Sequence, residues 1–294
     1  MAEVRRGGVQ ILDAELWYLD FGSGPPEEGV YLQGGLHGNE VLSYPTLLKL
    51  AALLEVVELP GAVRIVPCAN PFGWDAFRHG QAGRLSFPNG HDWNRIFDVQ
   101  TELTPGTVES ALRAGLVALS EPFGRVLDVH TPEYGLPHIY ALQRAFAPAG
   151  FDDLPHVLTA GPSSAFEDFH AQAGRPAATV ELPSTEPITE ALVERWAQRL
   201  LRAVLEGQSQ GPLVTGRLEN TYAPIGGVLA LAKELGSVVE EGGELVRVYG
   251  GRGDVAVLNA RHPCVPLCFR RRQMINAGSW VVRSLVDIKQ RTAW

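Results

Sequence analysis

The chain has 294 residues, 45% of them apolar and 20% charged, with a formal net charge of −8. That length suits one large α/β domain with a smaller appendage, the composition excludes a disordered chain, and an acidic protein with no basic stripe beyond Arg270–Arg272 is not expected to bind nucleic acid. No apolar run approaches the roughly 18 residues of a membrane span, and the opening MAEVRRGGVQILDAELWYLDFG alternates apolar with polar residues and lacks a signal-peptide core, so a cytoplasmic protein without a membrane partner is expected.

In chain order, Gly29 to Leu36 (GVYLQGGL) reads as a buried strand leaving a sheet at its glycines. Ser43 to Val56 has helical spacing, with Ser43 as a candidate N-cap and Pro45 in the first turn. Ala62 to Ala69 is a strand, Thr107 to Leu119 a helix, Arg125 to Val129 and Ala178 to Leu182 two further strands, and Ile188 to Leu205 a long amphipathic helix. Strands alternating with helices predict an α/β fold, a mostly parallel mixed sheet flanked by helices, which binds ligands at the carboxyl ends of its strands. Beyond Gly207–Pro212 the texture changes to short apolar segments between glycine pairs. Residues 1–210 are therefore expected to form the α/β domain and residues 211–294 a small all-β domain.

The three cysteines, Cys68, Cys264 and Cys268, are an odd count without a secretion signal and read as buried apolar residues, not as a disulfide framework. The Arg270–Arg272 run reads as a solvated loop or strand end.

Residues with chemistry gather at strand ends. His37 and Glu40, three apart in the glycine-rich turn after the first strong strand, can both face one ion if the backbone is tight. His130 follows directly on another strand; taken alone, it reads more readily as a core histidine hydrogen-bonded to backbone than as a ligand. Together the two imidazoles and one carboxylate leave zinc an open fourth position, the catalytic arrangement. Asp128 either orients a ligand or is structural. Asn94 and Arg95 can grip a substrate carboxylate, the guanidinium supplying a two-pronged donor, and Arg78 can stabilise an oxyanion beside the metal. Glu181 ends an apolar strand, where a carboxylate is costly unless paired or working; beside an activated water it can serve as the base.

The motifs GLHGNE (Gly35–Glu40), Asn70–Pro71 followed by Arg78, DWNRIF (Asp92–Phe97), DVHT (Asp128–Thr131) and TVEL (Thr179–Leu182) occur in an order that resembles the zinc carboxypeptidase superfamily, and within it the succinylglutamate desuccinylase/aspartoacylase family, over residues 30 to 185. The resemblance implies His37, Glu40 and His130 as ligands of one Zn2+ per chain, Arg78 as the arginine that polarises the scissile carbonyl, Asn94 and Arg95 as the carboxylate clamp, and Glu181 as the general base. It departs from the family pattern at Trp93, where leucine is usual, at Pro132 and Pro183, and in the long segment between Arg78 and Asp92, whose end also resembles the GxDxNR run of true carboxypeptidases.

The expected function is zinc-dependent cleavage of the amide bond of an N-acyl amino acid, with a small-molecule substrate. A metallocarboxypeptidase or peptide amidase acting on short peptides is the alternative, and a non-catalytic zinc-binding protein stands behind both. The oligomeric state is left open, a homo-oligomer included.

Overall fold

The computed structural model describes residues 4–98, 101–142, 146–159, 163–270 and 274–291. The N-terminal alternation of apolar and polar residues becomes a hairpin of β1 (Arg5–Ile11) and β2 (Ala14–Phe21). The apolar run after it is β3 (Val30–Gly34), followed by α1 (Ser43–Leu54), β4 (Val63–Val66), α2 (Pro71–Arg78), α3 (Val108–Ser120) and β5 (Arg125–His130). Next come β6 (His138–Leu142), β7 (Pro155–Thr159), α4 (Phe166–Gln172), β8 (Ala177–Glu181) and α5 (Glu190–Glu206). The rest is strand: β9 (Leu213–Tyr222), β10 (Gly227–Leu231), β11 (Glu244–Tyr249), β12 (Val255–Asn259), β13 (Val265–Phe269), β14 (Met274–Ile275) and β15 (Trp280–Arg291).

Eleven strands form one sheet in the order β1-β2-β4-β3-β5-β8-β6-β7-β9-β15-β13. Its centre, β4-β3-β5-β8, is parallel, so the mostly parallel mixed sheet read from the sequence is what forms. Strand alternation divides the core. Leu32, Leu127, Val129 and Val180 pack with Leu47 and Leu50 of α1 and Trp196 and Leu200 of α5. Tyr31, Val126 and Ala177 point the other way, toward Leu112 and Leu116 of α3 and Phe166 of α4. By the same period of two, Gln33, Asp128, His130, Thr179 and Glu181 lie on the α3/α4 face at the carboxyl end of the sheet.

The C-terminal segment is all strand among the described residues, and β12-β11-β10-β14 form a separate antiparallel sheet. The other three strands, β9, β15 and β13, continue the large sheet, because β7 pairs with β9 in parallel. That continuity carries C-terminal residues to the rim of the cavity described below.

Local chemistry adjusts several element ends. Ser43 is the first residue of α1 and not its cap: its hydroxyl donates to Glu40 O and accepts from Gly35 N, each at 3.0 Å, which folds the glycine turn onto the helix instead. The strand expected over 62–69 stops at Val66, before Pro67, which has no N–H for the ladder. Asn70 caps α2 by accepting from Gly73 N at 2.9 Å, with Pro71 at the first helical position, while its amide donates to Leu36 O at 2.9 Å. All three cysteines are free thiols, and Cys68 and Cys268 are pushed by burial up to about 11 and about 12.

Candidate metal centre and its cavity

The turn that carries His37 and Glu40 depends on glycine. Gly35 has φ +68°, and a Cβ on Gly38 would lie 2.0 Å from Gly73 O, so α2 crosses directly over the turn. Gly38 N also donates to Gly83 O at 2.9 Å, fastening the turn to the loop that follows α2.

His37, Glu40 and His130 converge, with one donor atom from each within 4.8 Å of the others, and all three residues are buried. His37 Nδ1 lies 2.7 Å from Glu40 Oε1 and His130 Nδ1 lies 2.7 Å from Glu40 Oε2. The far side of each ring is held by another carboxylate: His37 Nε2 by Asp92 Oδ1 at 2.8 Å and His130 Nε2 by Asp128 Oδ2 at 2.7 Å. Behind Asp128 runs a buried relay in which Tyr31 Oη donates to Gln33 Oε1 and Gln33 Nε2 donates to Asp128 Oδ1, each at 3.0 Å.

The electrostatics follow from this crowding. Burial alone would raise Glu40, but His37 and His130 outweigh it and hold the carboxyl well below its usual range. Burial likewise opposes the charged form of His130, and Asp128 and Glu40 reverse that, raising it well above the ordinary value. Asp92 is held far down by the hydrogen bond and charge of His37, with Arg84 and Arg95 adding to them, against the cost of burial.

Arg78 is not part of this cluster. As the last residue of α2 it is exposed and lines a different cavity with Asp13, Glu15, Trp17 and Trp74. The arginine at the cluster is Arg84: its Nη1 donates to Glu40 Oε1 at 3.2 Å and its Nη2 pairs with Asp92 Oδ2 at 3.0 Å. The correction has a simple cause, since α2 ends at Arg78 and the chain turns back at Gly83, φ +66°, to lay the next arginine over the turn.

Asn94 and Arg95 sit in a short 3-10 turn at the cavity edge. Asn94 is buried, its Oδ1 accepting from Phe166 N at 2.8 Å and its Nδ2 lying 3.4 Å from His130 Nε2. Arg95 is exposed on the rim, its Nη1 donating to Asn94 O at 2.6 Å. Glu181 faces His130 directly across the β5/β8 register. Its Oε2 is buried with no hydrogen-bond partner among the described residues. Burial first, then the charge of Glu40, raises it to about 7, with His130, Arg283 and Arg84 pulling the other way.

These groups line one cavity of about 610 Å³, which reaches from His37 to the C-terminal strands. The profile of the succinylglutamate desuccinylase/aspartoacylase catalytic domain matches residues 26–206, the span that carries every one of these motifs. The chain belongs to that family. The family comprises deacylases, so the protein is a hydrolase-like enzyme by membership. Its fold is that of a succinylglutamate desuccinylase/aspartoacylase family protein of Shewanella amazonensis SB2B, with a TM-score of 0.77 at 20% identity over 98% of this chain and 100% of the other. It is similar too to the product-bound ectoine utilization protein EutE (DoeB) of Ruegeria pomeroyi, with a TM-score of 0.74 at 19% identity over 96% and 95% of the two chains. A succinylglutamate desuccinylase of Silicibacter sp. TM1040 gives 0.73 at 19% identity over 96% and 95%. No curated protein matches the chain.

Several cavity residues carried no role in the sequence reading. Asp92 stood inside the family motif DWNRIF without one. Arg283 had a legible signal: it is a lone charge in the apolar run of β15, with Val281, Val282, Leu285 and Val286 all buried around it, and it lines the cavity. Arg270, expected in solvent, lines the cavity and sits 5.2 Å from the Trp280 ring; Arg271 and Arg272 lie outside the described residues. Glu167, in α4, is 7% exposed, and burial followed by the charges of Asp168 and Asp128 raises it to about 7. A carboxyl whose folded value is raised destabilises the fold as pH climbs from its unfolded value toward its folded one. A rise from 4.5 to about 7 amounts to roughly 3 kcal/mol at about 1.4 kcal/mol per unit. Glu167→Gln is therefore expected to unfold at a higher temperature than the parent at pH 8 and at nearly the same temperature at pH 4, as calorimetry would read; equal midpoints at pH 8 would refute the buried acid.

Proposed function

We propose that the chain is a zinc-dependent deacylase that hydrolyses the amide bond of an N-acyl amino acid. The observation that carries the proposal is the pair of imidazoles that turn Nδ1 to Glu40 while Asp92 and Asp128 hold Nε2. Carboxylates fix metal-ligating histidines in this way, and two imidazoles with one carboxylate form a donor set that suits a divalent ion and leaves it an open position. His37, Glu40 and His130 would hold one zinc ion per chain, which supplies Lewis acidity toward water and the scissile carbonyl.

The chain's own groups supply the rest. Glu181 takes the proton of the attacking water on its unpartnered Oε2 and returns it to the leaving amine. Arg84, standing where Arg78 was expected, donates to the oxyanion. Asn94 and Arg95 hold the amino acid carboxylate. Arg84→Ala is expected to lower kcat about 10²-fold and Arg78→Ala to leave it unchanged; steady-state kinetics showing the reverse would restore Arg78.

We take residues 1–210 as the hydrolase domain and 211–294 as a β-rich appendage whose Asn220, Cys268 and Arg283 wall the cavity. That wall favours small substrates over peptides, and so a deacylase over a carboxypeptidase. The test is a hydrolysis panel of N-acetyl and N-succinyl amino acids beside short peptides, with metal analysis of the same sample. Release of free amino acid from the acylated single residues supports the proposal. Turnover of peptides alone would assign a carboxypeptidase, and no turnover by the metal-loaded protein would end the enzymatic reading.

A further inference from the structure

The edges of the two sheets differ in how they are closed. β13 is covered by the chain before β6: Phe269 N donates to Tyr134 O at 2.8 Å and Leu136 N to Leu267 O at 2.9 Å. β14 is two residues long, and β1 opens on Arg5, Arg6, Gly7 and Gly8, which are charged or lack a side chain. Short length, charge and glycine all discourage further pairing at an edge. β12, the outer strand of the antiparallel sheet, has none of these guards: Val255–Asn259 reads VAVLN, without a charge, a glycine or a proline. Gly250 N donates to Asp254 O and Ala260 N to Gly243 O, each at 2.8 Å, so the even-numbered residues of β12 bond to β11. Val255, Val257 and Asn259 therefore turn their N–H and C=O groups outward, free to form another ladder.

The same strand brings apolar side chains to the surface. Ala256 and Leu258 pack on the core of the C-terminal strands, while Val255 and Val257 are 51% and 49% exposed. Met274, Val228, Tyr249 and Val255 stand in register across all four strands of the sheet, and all are exposed. This apolar row ends at the open edge, where the valines of a second copy would extend it. The charges suit such a self-pair. Arg252 and Asp254 precede β12 and Arg261 follows it, all exposed. Glu240 and Glu241 lie at the Arg261 end, where Gly242 N donates to Ala260 O at 2.8 Å. Antiparallel pairing of two copies about Val257 sets Val255 opposite Asn259. It carries Asp254 of each copy to the end that holds Arg261 of the other, and Arg252 toward Glu240 and Glu241.

We infer that β12 is the contact of a homodimer, in which two copies of the chain pair their β12 strands antiparallel across a twofold axis and join their four-stranded sheets into one. No β12 residue lines the metal cavity, so the inference stands apart from the deacylase reading. A junction of one short strand from each copy is small beside the roughly 1,600 Å² of a standard interface, so the dimer dissociates in the micromolar range. Sedimentation velocity of the full chain over about 1 to 100 µM is expected to show a monomer–dimer equilibrium. Val257→Pro is expected to abolish the dimer and spare the monomer, because the N–H it removes bonds to nothing within one copy. The charges give a second test that does not touch the ladder. Asp254→Arg is expected to weaken association at least about tenfold, and adding Arg261→Asp to restore it. Should Val257→Pro unfold, the charge exchange decides. A monomer throughout the range, a dimer that survives Asp254→Arg or a folded Val257→Pro, or a double substitution no tighter than Asp254→Arg alone would overturn the β12 contact.

Discussion

Glu181→Gln is expected to keep the metal and lose about 10²- to 10⁴-fold in kcat, the range that a positioned general base contributes. The substitution preserves shape and removes only the ability to take a proton. Its environment explains why this carboxyl suits the task. Burial, then the neighbouring charge of Glu40, raises it to about 7, so it exchanges a proton near neutrality. The sign of the pH dependence follows. Where it is protonated Glu181 cannot act as a base, so kcat/KM falls toward acid pH. A cation held by His37, Glu40 and His130 favours the ionised form and moves the limb lower. Metal content by mass spectrometry and a pH–rate profile check both halves. A near-normal kcat in Glu181→Gln, or a profile that keeps its acid limb in that variant, would remove Glu181 from the role.

The second large effect is expected at His130. His130→Ala takes away one donor of the cluster and strips Asp128 and Glu40 of their shared partner. Asp128 is fully buried, its remaining hydrogen bond coming from Gln33. Breaking a buried charged pair by removing one side costs about 3–5 kcal/mol, so the variant should both lose its metal and melt well below the parent. Thermal unfolding and metal analysis on one preparation read the two together. Unchanged metal content would exclude His130 as a ligand, and unchanged stability would contradict the buried pairing of His130 with Asp128 and Glu40.

The parallel core of the sheet was legible because β3, β4, β5 and β8 are short apolar runs, each bounded by a helix with helical spacing. The family resemblance was legible because its motifs fall at the ends of those strands. Harder to read were elements whose formation depends on distant partners. β6 and β7 sit beyond β8 in the sheet although they precede it in the chain, and α4 is a short helix that gains its hold by packing on β5, β6 and β8. The C-terminal strands read as a unit of their own, since nothing local announces that β9 will add to β7. The same limit misplaced the cluster's arginine. Arg78 and Arg84 are both plausible by spacing, and only the turn at Gly83, tied to Gly38, decides which one reaches Glu40. Glu167 gave no signal at all: in FEDFHAQ it is one acid beside another, and its burial comes from the fold.

The most direct test is a crystal of the protein grown with zinc, with anomalous data collected on either side of the zinc edge. One strong anomalous peak bounded by His37 Nδ1, His130 Nδ1 and the Glu40 carboxylate, with no further side chain bound to it, is the predicted result. A peak elsewhere, none at that position, or an ion sealed by a fourth protein donor would contradict the catalytic metal site.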